Sequence, residues 1–283
     1  MNQSGNIQKQ IHTTSESEND SKALWVPNSL RNAAICLRGG YNIAFELLLL
    51  RFVSLLNRSG TRVDYVTLNQ WLSKTLQQAA IVNQVINEPN PNSTYVMDCT
   101  AEQLLPLLRK QLGGQFPLPI FLTPEVGRCE KFSAQWLKDL PPPYIGISWD
   151  IRSDTNSTSK SASIDLHKII EHVSLLTGTL VVLQSNVTPE ELKYIGENIN
   201  ASLLDCSDLH DEPEEMLAVM DLLDDYIGVP DLAQTLRASV HKPAHVFWPL
   251  QLTEKGSLWN EKPEELSQWF PDARLYCQSS TSG

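Results

Sequence analysis

The sequence predicts an α/β protein of two Rossmann-like lobes, each with a parallel sheet covered by helices. Segments typical of strands and of helices alternate along the chain, which favours parallel strands joined by helical crossovers. Some strands are almost continuously apolar, for example LVVLQ at residues 180–184, as expected when helices cover both faces of a sheet. Pro141, Pro142 and Pro143 interrupt the alternation and divide it into two series.

The first series follows a polar arm, residues 1–22, which is predicted to be disordered because it has too few apolar residues to form a core. A strand at residues 32–37 leads into a turn at Gly39-Gly40 that needs the conformational freedom of glycine. Residues 45–56 place their apolar side chains at helical spacing and predict one amphipathic helix. Further strands are predicted at residues 62–68 and 94–98, and further helices start near residues 70 and 100.

The second series predicts a second sheet, whose first strand at residues 144–149 follows the proline run. The other strands are predicted at residues 179–184, 202–205, 225–229 and 244–248, and the helices at 166–176, 189–198, 214–223 and 232–240. We therefore predict an N-terminal lobe over residues 23–140 and a C-terminal lobe over residues 141–283. Ligands of such folds bind outside the carboxyl ends of the strands, so the cleft between the lobes is the expected site.

The composition excludes some classes of function. The 283 residues carry a net charge of −11, so we expect no binding of nucleic acid by general phosphate attraction, which needs clustered lysine and arginine. The first twenty residues lack the apolar core of a signal peptide. The most apolar stretch, residues 45–56, is too short to cross a bilayer. No transmembrane segment is expected, and the predicted compartment is the cytoplasm.

The cysteines and histidines form no recognisable catalytic or metal-binding motif. The five cysteines are scattered without a Cys-x-x-Cys spacing and are predicted to be reduced thiols. His167 and His172 are five positions apart, which places them on different faces of a helix. The acidic run at residues 205–215, which contains His210, is interpreted as a solvated loop and helix start. We therefore expect no metal site.

Several short motifs run through residues 32–278 in an order that resembles a known family. The first lobe contributes GGYNI at residues 39–43, before a long helix. The second lobe contributes IGISW at 145–149, SIDL at 163–166, VLQ at 182–184, MDLLDDYIGV at 220–229, KPAHV at 242–246, QWFP at 268–271 and RLY at 274–276. In this order, the motifs are similar to those of the lipopolysaccharide heptosyltransferases and related family-nine glycosyltransferases, especially the type often linked to tetratricopeptide repeats.

The resemblance implies the GT-B architecture and the transfer of a sugar from a nucleotide-activated donor to an acceptor hydroxyl, without a metal. It implies no cofactor, since the nucleotide-sugar is a substrate, and its acceptor would be a glycan or a protein. The C-terminal lobe is the implied donor-binding lobe, and a lysine in its first loop would meet the donor phosphates. The positions that would contact the donor are Gly40, Asn42, Ser148, Trp149, Lys160, Gln184 and Asp231.

Two sites depart from the family pattern. Tyr41 and Asn42 stand where the family places a carboxylate that is the expected base, and neither side chain is a base at neutral pH. In the later helix start, Thr235 stands where the family has a histidine. Pro230 and Asp231 replace its small hydroxyl residues there, and a carboxylate repels a phosphate.

Each candidate therefore has a structural alternative. The glycine turn can be a plain connection between strand and helix, and Asp231 can be a helix N-cap. Gln184 can be an amide that satisfies a turn, Lys160 a solvated cation and Trp149 a packing residue.

Three functional hypotheses remain. The first is an active glycosyltransferase whose base is displaced to a residue such as Asp150 or Asp231. The second is a catalytically inactive glycosyltransferase-like protein that binds or assembles with a protein partner. The third is a doubly wound protein that binds another nucleotide.

Overall fold

The computed structural model describes residues 29–40, 43–89, 92–100, 103–104, 116–151, 162–249 and 268–277. The predicted disordered arm, residues 1–22, lies outside these stretches, as does most of the helix predicted from residue 100. Within them the predicted fold class is confirmed, because the chain forms two parallel sheets whose strands alternate with helices.

The first sheet has four parallel strands in the order β3-β2-β1-β4. Its strands are β1 (Ala34–Arg38), β2 (Arg62–Val66), β3 (Gln84–Ile86) and β4 (Met97–Thr100). Ile35 of β1 pairs with Val63 of β2 on one side and with Met97 of β4 on the other, so β1 is central. The sequence did not predict β3, which is only three residues long, and the strand predicted at residues 94–98 begins three residues later.

Three helices accompany these strands: α1 (Ile43–Leu50), α2 (Val53–Arg58) and α3 (Gln70–Gln78). The prediction of one helix over residues 45–56 is wrong, because the helix is interrupted at Arg51 and Phe52. The start of α3 is as predicted, because the Asn69 side chain accepts a hydrogen bond from the Leu72 backbone N–H and caps the helix.

The second sheet has six strands in the order β12-β11-β10-β5-β8-β9, and all neighbouring strands are parallel. Its strands are β5 (Tyr144–Ile147), β8 (Thr179–Val182), β9 (Ser202–Asp205), β10 (Asp225–Gly228), β11 (Ala244–Trp248) and β12 (Ala273–Cys277). A small antiparallel pair, β6 (Asp150–Ile151) and β7 (Ala162–Ser163), follows β5. Only β12 of the six strands was not predicted.

Of the remaining helices, α4 (Val126–Phe132) precedes the proline run and was not predicted. The four that follow the run agree closely with the prediction: α5 (Leu166–Val173), α6 (Pro189–Asn198), α7 (Pro213–Leu222) and α8 (Leu232–Ser239). The start of α6 shows how local sequence sets a boundary. Thr188 and Glu191 form a reciprocal capping box, and Pro189 occupies the first helical position, where its missing N–H costs nothing.

The two halves of the chain pack together through α1 and α8. Phe45, Leu47 and Leu50 of α1 belong to a buried apolar cluster that continues into α7 and α8. Even Glu46 is only 4% exposed, so α1 is buried all round rather than amphipathic. A helix that packs on its own sheet and on a second helix has little solvent face left.

Trp269 adds a second link between the halves. It precedes β12 in the chain, yet its ring lies against the first-lobe side chains Phe52 and Phe116, at centroid distances of 6.2 and 4.7 Å. The chain therefore leaves the second sheet after β11, contacts the first lobe, and returns to form β12. Within the described residues, no helix combines the length and the apolar character needed to cross a bilayer.

Candidate functional site

A polar cluster lies at the carboxyl ends of β5 and β10, the two central strands of the second sheet. Ser148 directly follows β5, and its Oγ is 2.6 Å from the Tyr226 hydroxyl. Tyr226 also donates a hydrogen bond to Asp231 Oδ1 at 3.3 Å. A Cβ on Gly228 would lie 2.7 Å from Ser148 Oγ, so only glycine leaves room for this cluster.

Asp231 joins the cluster to the start of α8. Its Oδ1 also accepts a hydrogen bond from the Gln234 backbone N–H at 2.8 Å, so Asp231 is the N-cap, as the structural alternative predicted. Burial raises the pKa of the Asp231 carboxyl above its ordinary value. Burial, with the adjacent Asp231 charge, also raises the pKa of Tyr226 well above 10. Tyr226 is therefore a neutral hydrogen-bond donor, and Asp231 is a stronger base than a solvated aspartate.

His210 adds a group that the sequence did not assign to the cluster. It lies in a 3₁₀ turn, Ser207–Asp211, that follows β9 at the same edge of the sheet. A positive charge on His210 would lower the pKa of Asp231. Its Nδ1 is buried without a hydrogen-bond partner. The cluster thus contains an acid, a phenol, a hydroxyl and an imidazole.

Gln184 holds the loop that follows β5. Its Oε1 accepts hydrogen bonds from the backbone N–H groups of Trp149 and Asp150, both at 2.8 Å. Its Nε2 donates to the carbonyl oxygens of Asp150 and Ser185 at 3.1 and 3.2 Å. Both polar atoms of this buried amide are hydrogen-bonded within the protein. Gln184 therefore fixes the backbone of the loop at the edge of the site.

Trp149 lies in the apolar core beneath the same loop. Its side chain is 3% exposed, and its Nε1 donates a hydrogen bond to Glu191 Oε1 at 3.3 Å. Its backbone carbonyl accepts from the Ile164 N–H at 2.8 Å. The indole therefore packs next to Ser148 without reaching the surface of the cleft.

The glycine turn of the first lobe contains a carboxylate that sequence reasoning missed. Gly40 has a φ of 138°, as only glycine readily allows, and its N–H donates to Glu46 Oε1 at 2.8 Å. The Tyr65 hydroxyl donates to Glu46 Oε2. Burial, together with the Glu46 charge, raises the pKa of Tyr65, so the phenol stays protonated. The only sequence signal was a lone acidic residue in an apolar run.

An arginine–aspartate pair marks the same edge of the first sheet. Arg38 ends β1 and Asp98 lies in the neighbouring β4, and the two side chains form a bidentate pair with distances of 2.6 and 2.7 Å. The hydrogen bonds from Arg38 lower the pKa of Asp98. Burial raises the pKa of the nearby Cys36 thiol to about 11, so this cysteine is protonated at neutral pH. The cysteines whose side chains are described are all free thiols.

The structure therefore places five of the seven predicted donor-contacting residues. It joins Ser148 and Asp231 through Tyr226, sets Trp149 and Gln184 beside them, and leaves Gly40 at the edge of the other sheet. Asn42 and Lys160 lie outside the described residues, so their positions stay predictions. Among the described residues, no three His, Cys, Asp or Glu side chains come together in a group that could hold a metal ion.

Comparison with solved structures shows the same architecture elsewhere. A family-nine glycosyltransferase from Veillonella parvula DSM 2008 matches over 90% of this chain and 89% of that one, with a TM-score of 0.58 and 10% identity. The Escherichia coli heptosyltransferase WaaC, solved with ADP-2-deoxy-2-fluoro heptose, matches over 86% of this chain and 92% of that one, with a TM-score of 0.44 and 11% identity.

The Veillonella match confirms, at the level of the fold, the resemblance predicted from the motifs: the chain has a glycosyltransferase-like, two-sheet α/β fold of the GT-B type. No protein-family model matches the sequence, and no curated protein matches it.

Proposed function

We propose that the protein binds a nucleotide-activated sugar at the carboxyl edge of the second sheet and transfers the sugar to an acceptor hydroxyl. The observation that carries the proposal is the cluster of Ser148, Tyr226 and Asp231 at the ends of two otherwise apolar central strands. In open α/β sheets this is the edge where ligands bind. The fold shared with a family-nine glycosyltransferase supports the same interpretation.

Each group of the cluster has a role in this proposal. Asp231, whose pKa is raised by burial, takes the proton of the acceptor hydroxyl as general base. Tyr226 is a neutral phenol whose one O–H donates to Asp231, and the Ser148 hydroxyl orients it at 2.6 Å. Lys160 and Asn42 are proposed to contact the donor phosphates. No metal or cofactor takes part, the acceptor is a glycan or a protein, and the reaction takes place in the cytoplasm.

The test is a panel of nucleotides and nucleotide-sugars, measured by thermal shift and by release of the free nucleotide. A ligand of the folded state raises the midpoint of unfolding by mass action. We expect Asp231→Asn, which keeps the N-cap, to lower turnover about 100-fold or more while the thermal shift persists. Asp225→Asn, at the opposite end of β10, is the matched control and should not change turnover. Equal turnover in Asp231→Asn and the wild type excludes Asp231 as the base.

A second candidate is a glycosyltransferase-like protein without catalysis, which binds or assembles with a protein partner. It is favoured by a specific observation: internal carboxylates occupy the positions that an anionic ligand would take in both lobes. Asp231 caps α8, and Glu46 binds the Gly40 N–H at the start of α1. This candidate predicts no thermal shift and no nucleotide release with any member of the panel, so turnover that is lost in Asp231→Asn rules it out.

A further inference from the structure

A groove of about 1180 Å³ lies between the helical layer of the first lobe and the start of α7 in the second lobe, and it shares no residue with the Asp231 cluster. Its walls are α2, α3, the segment at residues 116–123 and the start of α7. Arg51 and Arg58 follow the end of α1, and Ile81 follows the end of α3, so these residues lie far from the carboxyl edge where both helices begin. A ligand in the groove would therefore contact different residues from those of the Asp231 cluster.

Two arginines of the α1–α2 segment line this groove. Ser54, Leu55 and Arg58 lie at helical spacing on α2, and Arg51 lies in the break just before α2. Two long side chains that line one groove can converge on one group that lies between them.

The other charges at the groove are already balanced. Lys74 pairs with Glu214 at 3.7 Å, and Arg128 pairs with Glu125 at 3.3 Å as well as with Glu214 and Glu215. In contrast, Arg58 is exposed and makes no hydrogen bond or ion pair within the described part of the chain. Counted over the described residues, four cations and three carboxylates meet at the groove, which leaves a small excess of positive charge, although the whole protein carries −11.

Arg51 is a buried cation that has no carboxylate partner among the described residues. It is 1% exposed, its Nη1 makes a long hydrogen bond of 3.4 Å to the Gln268 carbonyl, and its Nε has no partner. Its guanidinium carbon lies 5.6 Å from the Trp269 ring centroid. Burial lowers the pKa of Arg51 to about 9, which still leaves it charged at neutral pH. An unpaired buried charge is costly unless an anion completes its environment.

The opposite wall is apolar and exposed. Residues 116–122 read FPLPIFL, and Leu118 and Phe121 in this wall are 65% and 59% exposed. The Leu122 N–H donates to the Ser239 carbonyl at 2.9 Å, which fixes the segment to the end of α8. Large apolar side chains that are held at the surface beside a groove are typical of a ligand-binding surface.

We propose that this groove binds an amphipathic anion, with its phosphate or carboxylate headgroup at Arg51 and Arg58 and its apolar chain along residues 116–122. The unpaired guanidinium groups bind the negatively charged headgroup of the ligand. The apolar wall with Leu118 and Phe121 binds its hydrocarbon part. The volume is sufficient for a ligand larger than a typical drug-sized molecule.

The test is isothermal titration calorimetry of the full chain with octyl phosphate and octanoate, with inorganic phosphate and octanol as the separate halves of the ligand. We expect either or both amphipathic anions to bind, the tighter one identifying the headgroup, and both halves to bind at least tenfold more weakly. Arg58→Gln should weaken binding about tenfold or more, since a hydrogen bond to a charged group is lost. Arg62→Gln is the matched control, because Arg62 is an exposed arginine of the same lobe that does not line the groove.

A second variant tests the apolar wall. Phe121→Ser removes an exposed ring and should weaken octyl phosphate binding without lowering the midpoint of thermal unfolding. The proposal is overturned if Arg58→Gln and Arg62→Gln bind the probes equally, if octanol binds as tightly as octyl phosphate, or if inorganic phosphate does. Binding that is unchanged in Phe121→Ser overturns the assignment of the apolar chain to this wall.

Discussion

The two helices that join the lobes, α1 and α8, carry similar pairs of charged side chains. The pairs differ in which side chain has its hydrogen-bonding atoms fully engaged. Each has a carboxylate near its start, Glu46 or Asp231, and a buried arginine near its end, Arg51 or Arg237. In the first lobe, both Glu46 oxygens accept hydrogen bonds and the carboxylate is buried, whereas Arg51 has an unpartnered Nε. In the second lobe the arginine is fully engaged, whereas the hydrogen bonds from Tyr226 and Gln234 both end on Oδ1 of Asp231.

Arg237 is the satisfied arginine of the pair. Its guanidinium donates to the carbonyl oxygens of Met220, Leu223, Asp224 and Pro243 at distances between 2.6 and 3.2 Å. These carbonyls lie after the ends of α7 and α8 or within their last turns, where helices lack backbone partners. Arg237 therefore stabilises the fold, and the groups left for ligands are Asp231 in the second lobe and Arg51 in the first.

The largest expected effect on stability follows from this difference between the two arginines. Arg237→Met should lower the free energy of unfolding by about 3 kcal/mol or more, because it leaves several buried carbonyls without a donor. Arg51→Met should change it by no more than about 1 kcal/mol, because the lost stacking on Trp269 and one long hydrogen bond are offset by removal of an unpaired buried charge. Urea denaturation measures both. Equal losses of unfolding free energy would show that the two arginines contribute equally to stability.

A smaller effect separates the two carboxylates. Glu46→Ala should lower the free energy of unfolding by about 2–3 kcal/mol, because it leaves the buried Tyr65 hydroxyl and the Gly40 N–H unsatisfied. Asp231→Ala removes an N-cap and should cost about 1 kcal/mol. The same denaturation assay applies, with Glu46→Gln as the control that keeps an acceptor oxygen. A larger loss for Asp231→Ala than for Glu46→Ala would reverse the comparison.

The smallest expected effect is a pH dependence from Asp231. Its folded-state pKa is raised above the ordinary value of 3.8, so the folded protein binds its proton more tightly than the unfolded chain does. The contribution of Asp231 to stability is complete below pH 3.8 and is lost as the pH rises through the folded-state pKa. Relative to Asp231→Asn, the wild type should therefore lose stability as the pH rises from below 3.8 through the folded-state pKa. A thermal-unfolding series in which the wild type gains stability relative to Asp231→Asn as the pH rises contradicts the raised pKa.

Much of the fold could be predicted because its signals are local. The bounds of α6, β9 and β11 agree with the prediction, since capping residues and apolar runs mark them directly. No proline or glycine marks the break between α1 and α2, so the sequence did not predict it. The short β3 depends on pairing with β2 rather than on its own three residues.

The candidate site was less predictable, because its contacts are long-range. The N-cap of Asp231 was foreseen as a structural alternative, and it depends on a bond to Gln234, three residues away. The Ser148–Tyr226 bond joins residues 78 positions apart, and it exists only because β5 and β10 are neighbours in the sheet. Glu46 of α1 and Tyr65 of β2 are 19 positions apart and meet only once the helix packs against the sheet. Arg51 acquires its groove only when residues 116–123 pass over it.

The position of Trp269 has a consequence for motion. Its ring packs among Phe52, Phe116 and Arg51 in the first lobe, while the β12 strand that follows it is paired along its length with β11 in the second. A wide hinge opening of the cleft would pull this ring out of a buried aromatic cluster. Small sliding of α1 against α8 keeps the ring in place. We therefore expect the cleft to admit ligands by shear of packed helices, with displacements of an ångström or two, rather than by separation of the lobes.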